Sequence, residues 1–265
     1  MIRYIPILLF SLLAQTATAK GGNASQLCAD RRQQQGTGAK TTIAAAEEND
    51  YDIKHVKFDI ALTNTSTEVS GNVTTTAKVV VPAMGIYAFE LNDLLTVDSV
   101  KVDGQLLPVV STGSVHRVNL IVPLVNGTSF TAQVFYHGQA NAGNGQFFTG
   151  GLHPVTTTDG FKLMYSISDD LFADDWWPCK QSLTDKIDSV DMWVTVDDTL
   201  KVGSNGLLVH TTAMPGSKLR YEWKTVYPID YYLVSVAVAP YNEYSYYMHF
   251  TDGSNHSMLV QDYVY

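Results

Sequence analysis

Cysteine is nearly absent: two residues, Cys28 and Cys179, in a chain of 265. So few exclude a disulfide-dense scaffold. Cys179, placed after Trp-Trp-Pro, reads as a small buried hydrophobe. Basic residues are also scarce, 17 Lys and Arg against 26 Asp and Glu, for a formal charge of -9. That leaves no basic stripe and argues against a nucleic-acid partner. The acidic surplus serves solubility or attracts a cationic ligand group. After the first nineteen residues no apolar run reaches 18 residues, so no membrane-spanning helix is expected. There is no G-x-S-x-G elbow, no P-loop and no dinucleotide fingerprint. There is also no H-E-x-x-H helix, which would set two imidazoles on one face around zinc. The seven histidines, His55, His116, His137, His153, His210, His249 and His256, pair with Cys or a carboxylate at no common short metal spacing. No catalytic residue and no metal ligand is assigned from the residues of this chain.

What is present begins with an export signal. Arg3 gives a positive start, Ile5–Ala14 a short apolar core and Ala17-Thr18-Ala19 a cleavage site, so residues 1–19 read as a secretory signal peptide. The protein is expected to be secreted or periplasmic. Residues 20–50 are polar, without apolar periodicity, and read as a flexible linker. From Tyr51 the pattern changes to period two. Val56, Phe58, Ile60 and Leu62 alternate with polar neighbours, as do Val69, Val73, Ala77, Val79 and Val81. Val97–Val102 and Gln105–Val109 flank an Asp103-Gly104 hairpin turn. Val118, Leu120 and Val122 alternate, as do Phe130, Ala132, Val134 and Tyr136; Phe161–Ile167, Val190–Val196 and Leu219–Thr225 add strands. The run "YYLVSVAVAP" is nearly continuous in apolar residues, as in a strand covered on both faces. No segment carries a long 3.6-residue period. Residues 51–265 are therefore expected to form an all-β domain, a saddle-like antiparallel sheet system with a smaller packed sheet. The last residues, "SMLVQDYVY", remain strand-like to Tyr265, which suggests a longer protein cut short.

One cluster stands apart, "DDWWPCKQSLTDK" from Asp174 to Lys186. Asp169, Asp170, Asp174 and Asp175 precede Trp177-Pro178-Cys179. A loop carboxylate beside an aromatic wall suits an ammonium group, through a charge-assisted hydrogen bond and cation–π attraction. The competing reading is that Trp176 and Trp177 plug the core while the acids are solvated. Composition alone favours that second reading.

The order of segments resembles the N-terminal domain of the aminopeptidase N family, the gluzincin zinc metalloaminopeptidases, and its bacterial secreted branch in particular. The likeness runs through "YDIKHVKFDIAL", "VDSVKVDGQLL", "WWPCKQSLTDKIDSVDMWVTV", "GSNGLL" and "YEWKTVYPIDYYLVSVAVAPY", covering Tyr51–Tyr265. Most members carry F-P-C-F-D-x-P where this chain has Trp177-Pro178-Cys179. The resemblance implies a β domain that caps a catalytic domain and lends a Gln or Glu to hold the peptide's free α-amino group. That residue lies eight positions before the phenylalanine, which selects Asp169 here, one methylene shorter than the usual side chain. The family's G-x-M-E-N loop and H-E-x-x-H zinc helix do not occur before Tyr265. The resemblance thus implies zinc in the full-length enzyme and none in this chain. It also implies two partners, a peptide substrate and a missing catalytic domain. The chain alone is expected to be inactive. The alternative is a stand-alone secreted β-sandwich binding module.

Overall fold

The computed structural model describes residues 45–143, 150–253 and 256–265. The predicted signal peptide, the linker up to residue 44 and Cys28 lie outside the described residues. The chain enters through a 3-10 turn, Ala46–Asp50, and then β1 (Tyr51–Ala61), β2 (Glu68–Val79), β3 (Ala83–Glu90), β4 (Leu95–Val102), β5 (Gln105–Leu107) and β6 (Val109–Thr112). Next come β7 (Val115–Val125), β8 (Ser129–Gln139), β9 (Gly151–Thr156), β10 (Lys162–Ile167) and β11 (Ser189–Asp197). The remainder is β12 (Lys201–Ser204), β13 (Leu207–Met214), β14 (Lys218–Thr225), β15 (Val236–Ala239), β16 (Asn242–His249) and β17 (Ser257–Val264). The fold is all-β. Among the described residues no helix is long and apolar enough to cross a membrane.

One eight-stranded sheet, in the order β13-β14-β11-β1-β2-β8-β4-β5, dominates. Three smaller sheets accompany it where one was expected: β12-β15-β10-β9, β3-β7-β6 and the β16-β17 ribbon. Period two sets the inward face. Val56, Phe58 and Ile60 of β1 are buried, and so are Phe130, Ala132, Val134 and Tyr136 of β8. Upstream of Val56 the buried residues are Tyr51 and Ile53, one step out of phase. A register shift between Ile53 and His55 opposite β2 accounts for this, because an inserted residue turns the following side chains to the other face. The β1–β11 pair is parallel, His55 facing Ser189 and Ala61 facing Thr195. Antiparallel pairing alone, as expected from the sequence, therefore does not describe the sheet.

Two strand expectations need correction. Gln105–Val109 is not one strand: Pro108, which has no N–H to give a ladder, separates β5 in the large sheet from β6 in the three-stranded one. The run from Tyr231 is only partly a strand. Tyr231–Leu233 is a 3-10 turn closed by Leu233 N–H donating to Asp230 O at 2.9 Å, with Leu233 exposed; only Val236–Ala239 enters a sheet. Val122, one of the alternating residues of β7, is also exposed, inside the register shift where Met84 pairs Leu124 and Ile86 pairs Asn119.

Gly71 fills the place of an inward residue between Val69 and Val73 on β2. Its φ is 140°, and a Cβ there would stand 2.2 Å from the carbonyl oxygen of Asp59 on β1. Gly71→Ala is expected to cost about 1–3 kcal/mol of unfolding free energy, the usual cost of such a backbone conformation for an L residue. Urea denaturation measures it, and an unchanged midpoint at unchanged slope would contradict this account.

The tail of the expected linker is packed rather than free. Ala45 and Glu48 are buried, and Arg117 of β7 grips Glu47 through two hydrogen bonds of 2.9 and 3.3 Å. The sequence shows no apolar periodicity here because the segment docks with one alanine and one carboxyl group.

Candidate functional site

The tryptophan cluster is structural. Trp176 and Trp177 are almost fully buried, and Phe58 of β1 packs against both, at ring distances of 5.8 and 4.9 Å. Trp176 Nε1 donates to Ser168 Oγ at 2.7 Å, and Tyr136 OH donates to the Trp176 carbonyl at 3.1 Å. Cys179 exchanges backbone bonds with Glu90 at the end of β3, 2.7 and 2.9 Å. Gln181 spans the same region, donating to Glu90 and accepting from Ala173 N–H. Lys180, itself buried, donates 2.6 Å bonds to the Tyr51 carbonyl and to Asp185, whose carboxylate also accepts the Ile53 N–H. Burial pushes the Asp185 carboxyl up, and Lys180 pulls it back. Sequence reasoning missed this Lys180–Gln181–Asp185 clamp. Its one signal was a pair of polar residues set directly after an apolar W-W-P-C run.

The four acids part company. Asp174 and Asp175 are 0% and 1% exposed, so they neither reach a ligand nor sit in solvent, as the sequence had suggested. Asn92 and Asn141 donate to the two Asp175 oxygens at 2.7 and 3.0 Å, and Asn92 N–H donates to the Asp174 carbonyl. Asp170 is exposed, and its carbonyl accepts the Tyr231 hydroxyl. Asp169 is half-buried, and its carbonyl accepts Phe172 N–H at 2.9 Å.

Asp169 thus sits on a short loop anchored at both ends. β10 leads into it through Ser168, pinned by Trp176; Ala173, pinned by Gln181, closes it. Beside β10 the four-stranded sheet carries an open depression of about 450 Å³, lined in part by Tyr165, Ser166, Asn205 and Ser235. Next to Tyr165, His153 of β9 stacks on its ring at 5.5 Å. Burial holds that imidazole below the usual histidine range, neutral at pH 7. The backbone around Asp169 is thus held at both ends of the loop, by Ser168 and by Ala173.

Other combinations carry less. His55 Nδ1 lies 2.8 Å from Ser189 Oγ, and Nε2 lies 3.5 Å from Asp191. This serine–histidine–aspartate set lies along β1 and β11, and β11 is paired on both sides, so its N–H groups are not turned together toward an oxyanion. Among the described residues no group of three or more His, Cys, Asp and Glu side chains fits a metal ion.

No protein-family model and no curated protein sequence matches the chain. Solved structures do. An M1 zinc metallopeptidase from Deinococcus radiodurans matches at 19% identity with a TM-score of 0.67, over 81% of this chain and 47% of that one. A mutant of it bound to a Tyr-Ser-Ala substrate matches at 18% and 0.66, over 81% and 48%. A two-domain M1 zinc metallopeptidase mutant bound to L-arginine matches at 19% and 0.68, also over 81% and 48%. This chain spans about half the length of these proteins, and it has the fold of that half of an M1 zinc metallopeptidase.

Proposed function

We propose that this chain is the N-terminal, substrate-capping half of an exported zinc aminopeptidase of the aminopeptidase N family. The observation that carries the reading is the match of one all-β body to just under half of a peptide-bound metallopeptidase. The order of sequence segments from Tyr51 to Tyr265 supports it. So does the β16–β17 ribbon, which leaves Tyr244, Tyr246, Tyr247, Met248, Met258 and Leu259 exposed. Apolar strands in solvent mark a surface that another body covers, here the remaining half of the enzyme. A stand-alone binding module would not need such a ribbon.

In this reading the chain's own work is to bind and orient. Asp169, fixed by the Ser168 and Ala173 anchors, accepts hydrogen bonds from the peptide's α-ammonium group. A substrate without a free amino terminus loses that contact, and cleavage is confined to the first residue. Zinc, which would activate water for hydrolysis in the complete enzyme, would in this reading be held by the other half of it. The isolated chain then has no turnover.

The test is to read the genomic frame beyond the Tyr265 codon and assay what it encodes. A continuing frame with G-x-M-E-N and H-E-x-x-H is expected, and its zinc-loaded product should hydrolyse aminoacyl anilides while the 265-residue chain with zinc releases nothing. In the complete enzyme Asp169→Ala should lower kcat/KM about 10- to 100-fold, the worth of one charge-assisted hydrogen bond. A stop codon in several isolates, or zinc-dependent turnover by this chain alone, overturns the proposal.

A further inference from the structure

Glu48 is the most deeply buried acid at the start of the fold. It sits in the 3-10 turn Ala46–Asp50 at 1% exposure, and neither carboxyl oxygen has a hydrogen-bond partner. The turn, closed by Glu48 N–H donating to the Ala45 carbonyl at 2.9 Å, is tied to the sheets at two further points. Glu47 pairs with Arg117 of β7, and the Asp50 carbonyl accepts Val80 N–H at 2.9 Å.

The groups facing Glu48 come from every side of its pocket. Glu90 at the end of β3, Asp174 from the tryptophan loop and the neighbouring Glu47 are acidic; Tyr51 of β1 and Tyr87 of β3 add neutral hydroxyls. Lys180 is the cation facing it from that loop, but its ammonium is committed to Asp185 and the Tyr51 carbonyl. Arg117 is committed to Glu47, and His116 on the same strand turns its ring to Ser111 and the Leu91 carbonyl. An ionised Glu48 would be a buried anion without a hydrogen-bond donor, beside further acidic side chains. Burial, then Glu90, pushes its carboxyl from 4.5 up to about 9.

We propose that Ala46–Asp50 is a proton-locked strap, docked on β3 with Glu48 as a neutral acid and released into solvent as a carboxylate while the sheets stay folded. The docked form binds one proton that the released form gives to water. Between the released carboxyl's ordinary value, 4.5, and the docked value, about 9, docking therefore weakens as pH rises. The limit is about tenfold per pH unit. Below that window both forms are protonated, and above it both are ionised.

Amide exchange in the intact chain reads the strap directly. Protection at Glu48 N–H and Val80 N–H, corrected for intrinsic rates, should fall up to tenfold per unit from pH 5 to 8 in the native protein. Glu48→Gln cannot ionise and should remove the slope. Glu47→Gln, which loses the Arg117 grip, should lower protection at every pH and keep the slope. Flat protection in the native chain, a slope surviving in Glu48→Gln, or a slope abolished by Glu47→Gln overturns the proposal. Equal protection and slope at the β2 and β8 core amides also overturns it, because release would then be global unfolding.

Discussion

Replacing Lys180 with methionine is expected to lower the unfolding free energy by about 3–5 kcal/mol, the range for breaking a buried ion pair from one side. The lysine and Asp185 side chains are 5% and 9% exposed, and their 2.6 Å contact closes the loop between the tryptophan cluster and β11. Without the ammonium, Asp185 stays buried beside the Ile53 N–H and the Tyr51 carbonyl loses its donor. Adding Asp185→Asn removes the stranded charge and keeps an acceptor for Ile53, so the double variant should recover much of the loss. Lys180→Met is also expected to depend on pH. Burial raises the Asp185 carboxyl further once the cation is gone, so the variant's deficit grows as pH rises above the unfolded carboxylate range and shrinks below about pH 4. Urea unfolding at pH 4 and 7 measures both effects. A single variant within about 1 kcal/mol of the parent at neutral pH, the value of an exposed pair, would show that the clamp is a surface contact.

Trp176→Ala carries a similar expected cost, about 3–5 kcal/mol, from lost burial and the cavity left behind. The indole is fully buried, lies against Phe58 and holds Ser168 through its Nε1. Its loss removes the upstream anchor of the Asp169 loop. Amide exchange at Phe172, whose N–H donates to the Asp169 carbonyl, should rise by more than the global destabilisation explains. Trp176→Phe keeps part of the volume and should cost less, but it leaves Ser168 without its donor. A Phe172 amide that follows global stability alone would show that Trp176 supports the core without positioning the loop.

Much of the framework was legible because a half-buried strand writes its environment into every second residue. Val56, Phe58, Ile60, Phe130, Ala132, Val134 and Tyr136 read as inward and are inward. The same code failed where apolar residues serve another purpose. Leu233 lies in a turn, Val122 lies within a bulge, and all of β16 faces solvent, a pattern that alternation does not record. The tryptophan cluster was legible as core packing. Asp175 was not legible as a buried group, because its partners Asn92 and Asn141 are 83 and 34 residues away.

The sequence by itself determined the class of fold and the inward face of the main strands, since both depend on neighbours along the chain. Tertiary structure alone decided the parallel pairing of β1 with β11, the Lys180–Asp185 clamp and the burial of Glu48. Each of these brings residues together across long chain separations or strips water from a charged group. Sequence patterns do not carry that energy: an isolated Glu or Lys looks solvated until the surrounding fold removes its solvent.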